Sequence, residues 1–218
     1  MRVLHCFQSQ KKWRMDQLKV NNISVLRGRK SVLTNLTLRF SFGEMVAVEG
    51  NNGSGKSTFL EALAGLIQIA QGEILLEGKN LSRLSFADRA NFISFIPSRK
   101  TTAAALEVAT AISVGDISGK KSGRVEEALE KFNLKGLQHN LLTELSDGEY
   151  QRVQLARVWA QNTPIVLLDE PAAHLDANAR VALFEELLKW TKEENKLVVL
   201  CSHELQLNKQ FASRTIQF

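Results

Sequence analysis

Gly50-Asn51-Asn52-Gly53-Ser54-Gly55-Lys56-Ser57-Thr58 decides how this chain is read. It spells G-x-x-x-x-G-K-[ST], the pattern of a loop that wraps phosphate. Glycine at these positions lets backbone N–H groups turn inward around an anion, where side chains would obstruct it. A helix starting at Ser57 would aim its positive N-terminus at the same charges. Lys56 would place a point charge at the β- and γ-phosphates, and Ser57 would offer a hydroxyl to Mg²⁺. Asn51, Asn52, Gly53, Ser54 and Thr58 complete the candidate ATP-binding set. The flanks agree with this reading, because an apolar run, Met45–Glu49, precedes the loop and residues 57–67 read as the helix.

A second pattern lies downstream. Ile165-Val166-Leu167-Leu168-Asp169-Glu170 is an apolar strand ending in two acids. Four buried residues would fix Asp169 at the carboxyl end of a sheet, where open α/β folds bind ligands. Asp169 is then a candidate Mg²⁺ ligand, acting through water, and Glu170 a candidate for polarising the attacking water. The rest of the chain supplies such a sheet. Residues 20–26, 36–40, 74–76, 92–96, 197–201 and 215–217 read as further strands, and 125–132, 149–161 and 179–191 as helices. Residues 103–113 form an Ala-rich helical stretch, and the Gly/Ser/Lys-rich segment 114–123 a mobile loop. Strands alternating with helices imply an α/β fold with a mostly parallel core sheet, interrupted by a helical insertion.

Composition narrows the setting. With 44% hydrophobic and 23% charged residues, the 218-residue chain has the balance of a globular domain. No stretch approaches the roughly 18 apolar residues of a membrane helix. The net charge of +5 is unevenly spread, since residues 1–30 hold eight Lys/Arg and one Asp. The remaining 20 basic and 22 acidic residues leave the body near neutral, which argues against nucleic acid as a partner. Residues 1–14 carry much of the basic charge and are expected to form a disordered extension ahead of the fold. Cys6 and Cys201 have no metal-ligand spacing, and Cys201, ending an apolar run, is expected to be a buried reduced thiol.

Further motifs resemble the ABC ATPases. Leu145-Ser146-Asp147-Gly148-Glu149 stands where that family carries its signature, followed by a similar helix, Gln151-Arg152-Val153-Gln154-Leu155-Ala156-Arg157. His174-Leu175-Asp176 is similar to its D-loop, and Ser202-His203 to its switch histidine. The spacing Ser146-x-x-Glu149 is by itself a helix capping box, and so a second anion site that one nucleotide does not need. The resemblance implies a P-loop NTPase fold with an N-terminal antiparallel β-subdomain, a domain covering residues 15–218, and a helical signature subdomain at about 98–160. It implies ATP hydrolysis with Mg²⁺, His203 at the γ-phosphate, and a signature that completes the ATP pocket of a paired cassette in a homodimer. It also implies a peripheral position on the cytoplasmic face of a membrane, against an integral permease and, in an importer, a substrate-binding protein.

Three positions depart from the family pattern. Ser98 occupies the place of a Gln that touches Mg²⁺ and couples to the permease. Arg27 stands where an aromatic residue stacks on adenine, and a guanidinium plane can also stack there. Asp147 replaces a Gly of the signature, which puts a negative charge near a phosphate site. The ELSDGE sequence and Ser98 together resemble the importer ATPases for iron-siderophore, haem and cobalamin. An exporter cassette, or a soluble ABC-type ATPase acting on nucleic acid or the ribosome, stands as the alternative. In such transporters a permease helix docks beside the insertion, and the apolar face of residues 103–114 would form a wall of that groove unless it packs into its own subdomain.

Overall fold

The computed structural model describes residues 17–98, 105–117 and 123–218. The expected extension 1–14 and residues 118–122 of the expected loop 114–123 lie outside the described residues.

The chain opens with a hairpin of β1 (Gln17–Arg27) and β2 (Lys30–Ser41), whose ladder closes at Arg27 opposite Lys30. Gly28 takes φ of 62° in the tight turn between them, a conformation glycine adopts without a Cβ penalty. Next come β3 (Met45–Glu49) and α1 (Lys56–Leu63), then β4 (Gln71–Leu76) and the short β5 (Lys79–Asn80). After α2 (Phe86–Ala90) and β6 (Ile93–Ile96), three helices follow: α3 (Val108–Ser113), α4 (Arg124–Lys131) and α5 (Asp147–Gln161). The chain ends with β7 (Ile165–Asp169), α6 (Ala177–Lys192), β8 (Leu197–Cys201), α7 (Leu205–Phe211) and β9 (Arg214–Gln217).

Two sheets result. One is antiparallel, in the order β2-β1-β4-β5, and the other is a five-stranded sheet in the order β6-β7-β8-β3-β9 whose pairs are all parallel. The run Ile165–Asp169 shows why the second sheet is central. Ile165 and Leu167 pack with Phe59, Leu60, Leu63 and the antiparallel sheet on one side. Val166 and Leu168 pack with Phe184, Leu187 and Trp190 on the other. A parallel strand covered on both faces must be apolar along its covered length, as this one is from Ile165 to Leu168. Each such side chain contributes about 1.5–3 kcal/mol relative to exposure, so an acid at the end of the run is held by a rigid stem.

A third cluster belongs to the insertion, where Val108, Ala111 and Ile112 of α3 meet Leu129 of α4 and Tyr150 and Val153 of α5. Val108, Ala111 and Ile112 of α3 are thus taken up by the cluster of their own subdomain, while Leu106 and Val114 at the margins of the helix remain exposed. The helix is also shorter than the expected stretch 103–113. Glu107 is extended, bridges to Leu141, and stands as the N-cap of α3.

Candidate functional site

The register of the parallel sheet gathers the candidate residues. Val48 of β3 and Asp169 of β7 both lie opposite Cys201 of β8, so three strands end at one level. Gly50 follows Val48 by two residues, Glu170 follows Asp169 directly, and His203 follows Cys201 by two. The three candidate segments therefore emerge side by side from the carboxyl edge, the ligand edge of such sheets.

Within the loop, Gly50 takes φ of 151° and Gly55 takes 106°. A Cβ on Gly50 would lie 2.5 Å from the Phe218 carbonyl oxygen, and one on Gly55 would lie 2.9 Å from Leu33 Cδ2. Only glycine fits either place. Lys56 is 7% exposed, and its Nζ donates to the carbonyls of Gly50 at 2.7 Å and Asn51 at 3.1 Å. The ammonium is thus held inside the curve of the loop. Gly55 caps α1 without any side-chain bond, and no acid occupies the first turn, so the helix N-terminus stays electropositive. Ser54 Oγ is buried with no hydrogen-bond partner among the described residues, an arrangement that suits a bound oxyanion.

A cleft of about 510 Å³ opens here, lined by Asn52, Gly53, Gly55, Lys56, Ser57 and Thr58 on one side and by Ser98, Glu170 and His203 opposite. Val32 and Ala173 also line it. Neither was expected from the sequence, because an apolar residue in a wall carries no motif. Glu170 Oε1 and His203 Nε2 stand 3.2 Å apart. Burial raises the Glu170 pKa, a shift to which the Asp169 carboxylate adds and which His203 and Lys56 partly offset. Its backbone is left-handed at φ 53°, a strained conformation for a residue with a side chain, and its N–H donates to the Cys201 carbonyl at 3.0 Å. Cys201 itself is fully buried, and desolvation pushes its thiol pKa up, as befits an inert packing residue.

Asp169, directly before Glu170, is 3% exposed and is not among the residues lining the cleft. Among the described residues no three His, Cys, Asp or Glu side chains cluster as a self-sufficient metal site. The Ser57 hydroxyl and the Asp169 carboxylate form a sparse oxygen donor set. That suits Mg²⁺, which keeps several waters and takes its other ligands from phosphate.

The other candidates lie apart from this cleft. Ser146 caps α5, its Oγ accepting from the Glu149 N–H at 3.3 Å while Glu149 Oε2 accepts from the Ser146 N–H at 2.9 Å. The Ser146 hydroxyl and N–H together hold the Glu149 carboxyl below its usual range. Leu145 anchors this turn in the third cluster, and Gly148 passes close to the His174 carbonyl. Asp147 turns toward His174, with Oδ2 3.7 Å from Nδ1. Asp176 caps α6, accepting from the Ala179 N–H at 2.9 Å. Arg27 pairs with Glu61 on α1 and is not among the residues lining the cleft.

A family model described as ABC transporter matches residues 33–173. The hemin import ATP-binding protein HmuV of Pseudomonas fluorescens (strain Pf0-1) is 34% identical over 210 residues, covering 91% of this chain and 82% of that protein. The petrobactin import ATP-binding protein FpuC of Bacillus anthracis is 30% identical over 208 residues, covering 91% and 76% respectively. Among solved structures, the dimeric structure of MJ0796, a bacterial ABC transporter cassette, matches with a TM-score of 0.83 at 28% identity, covering 92% of this chain and 94% of that one. The same cassette in a post-hydrolysis dimer bound to ADP and Pi matches with a TM-score of 0.84 at 26% identity.

Proposed function

The chain belongs to the ABC transporter ATP-binding family and is an ATPase, and from that premise we propose that it is the motor of an importer for haem or a related metal chelate such as an iron-siderophore or cobalamin. The relatives at 34% and 30% identity, named for hemin and petrobactin import, carry this reading. Among the described residues no helix is long and apolar enough to cross a membrane. The relatives are named as ATP-binding proteins, and on that reading the transport path belongs to a separate permease, with this chain docked at its cytoplasmic face.

In the proposed mechanism the 50–58 loop and the N-terminus of α1 bind the phosphates, and Lys56 neutralises charge at the β- and γ-positions. Ser57 and Asp169 would hold Mg²⁺, which when bound would supply further neutralisation of the phosphate oxygens. Glu170 accepts hydrogen-bonding protons from the attacking water and orients it in line. Beside it, His203 donates toward the γ-phosphate and holds the Glu170 carboxylate in place. The Ser146–Glu149 turn of a second copy closes over the nucleotide, with its helix N-terminus facing the γ-phosphate. The pairing of Asp147 with His174 directs that carboxylate away from the anion. Because the signature turn lies outside the cleft of its own chain, the site is completed by a homodimer.

The experiment is reconstitution. The chain is purified with a polytopic permease of the haem or siderophore importer type and placed in proteoliposomes with that permease's binding protein. Haem-loaded or siderophore-loaded binding protein should raise ATP hydrolysis and drive uptake. Hydrolysis without any response to either chelate would refute the importer assignment.

A further inference from the structure

Arg180, on the first turns of α6, makes two directed bonds with one guanidinium. Its Nε donates to the Leu175 carbonyl at 2.8 Å, and its Nη1 donates to Glu204 Oε1 at 2.7 Å. Leu175 stands in the turn that leaves Glu170, and Glu204 directly follows His203. Both ends of the bridge are already fixed locally. The Leu175 N–H donates to the Ala172 carbonyl at 3.2 Å, and the Ala173 N–H to the Glu170 carbonyl at 3.3 Å. On the other side the Glu204 N–H donates to Ser202 Oγ at 3.0 Å. With Glu170 and His203 meeting at 3.2 Å, the contacts close a ring through both loops.

Resting on the reading that Glu170 and His203 act on the γ-phosphate, we propose that Arg180 is a positioning residue that fixes His203 against Glu170 by tying the 170–176 turn to the 202–204 turn. Energetics favour this over a role in stability. The Arg180 and Glu204 side chains are 35% and 28% exposed, and ion pairs so exposed contribute little to folding. The geometry is nonetheless specific: a planar fork sets two donors at a fixed separation, and a lysine offers only a point charge. What the bridge controls is the relative placement of two loops whose side chains meet in the cleft. Neither loop carries the phosphate-binding backbone of 50–58, so the larger part of nucleotide affinity should be left in place.

The test uses the full chain and ATP. Arg180→Gln should lower kcat on the order of tenfold, the scale of a small misplacement of reacting groups, with KM for ATP within about twofold. Glu204→Gln cuts the same bridge from the other side and should lower kcat by a similar factor. The double variant should be no slower than either single one, because one bridge is lost in all three. Arg180→Lys should recover part of the rate. Unchanged kcat in both single variants would overturn the proposal, as would losses that multiply. A large fall in melting temperature with loss of nucleotide binding in both would mark the pair as structural and overturn it too. His203→Ala separates this inference from the reading beneath it. Full activity there would remove the role of His203 and this inference with it. An inactive His203→Ala beside a fully active Arg180→Gln would overturn the inference alone.

Discussion

Glu170→Gln separates chemistry from binding, because the side chain keeps its volume and its backbone bonds while losing its charge. The backbone anchor, the N–H of residue 170 on the Cys201 carbonyl, does not depend on the side chain. The amide can still meet His203, but it cannot accept a proton from water. General-base assistance is worth about 10²–10⁴ in rate, or roughly 3–5 kcal/mol of barrier at 1.36 kcal/mol per tenfold. Turnover should fall by that factor while ATP binding persists. A cassette that binds but does not hydrolyse should accumulate as a sandwich, seen in light scattering as a doubling of the 24.4 kDa mass.

The same substitution has a second consequence, in stability. Burial, with Asp169 beside it, raises the Glu170 pKa, so the folded state holds that proton more tightly than the unfolded chain does. An ionised Glu170 therefore destabilises the fold above its folded pKa, and the penalty vanishes below the ordinary carboxylate range. Without nucleotide, Glu170→Gln should melt higher than wild type near neutral pH, and this advantage should disappear in acid. Normal turnover in the variant would show that another group activates water. A lower melting temperature near neutral pH would refute the burial argument.

Lys56→Ala removes the ammonium that the loop carbonyls hold at 2.7 and 3.1 Å, and should weaken ATP binding itself, measured with a fluorescent analogue. Unchanged affinity would remove Lys56 from the phosphate site. Ser98 lines the cleft but has a short side chain, and Ser98→Gln should raise basal phosphate release by up to about tenfold, since one restored contact is worth about 1 kcal/mol. Equal or slower release would sink the idea that Ser98 limits the isolated cassette. Lys196 is 1% exposed, with Nζ 2.9 Å from Glu194 and 5.5 Å from the Trp190 ring centroid, and burial lowers its pKa. Its charged form is disfavoured in the fold, and Glu194, its side chain 41% exposed, can return to water, so Lys196→Met should leave Tm unchanged or raise it near pH 7. A clear fall in Tm would show that the Glu194 pair outweighs desolvation.

The sheet and the phosphate loop were legible because they obey strong local rules. Ile165–Leu168 is apolar at every position since both its faces are covered, and Gly50 and Gly55 answer to backbone angles and close contacts that a side chain would not meet. Two helices escaped notice for the opposite reason. In Phe86–Ala90 no residue is buried, and in Leu205–Phe211 Asn208 alone is, so neither shows an apolar period. The hairpin strands run longer than their expected spans, 17–27 against 20–26 and 30–41 against 36–40, because their ends are held by ladder bonds and mix buried Leu18 and Leu33 with polar side chains.

Contacts made across the fold were beyond reach of local pattern. Arg27 could be placed by order along the chain, yet its partner Glu61 lies 34 residues away. The approach of His174 to Asp147 depends on how the insertion sits beside the turn after β7. The same holds for Arg180, which belongs to no motif and looks like any solvated helix charge until the fold brings Leu175 and Glu204 to its two donors. Motifs name the groups that meet the nucleotide because their backbone demands are local and severe. The residues that hold those groups at working distance are chosen by tertiary geometry, where many sequences serve, and they emerge only when the loops at the sheet edge are seen together.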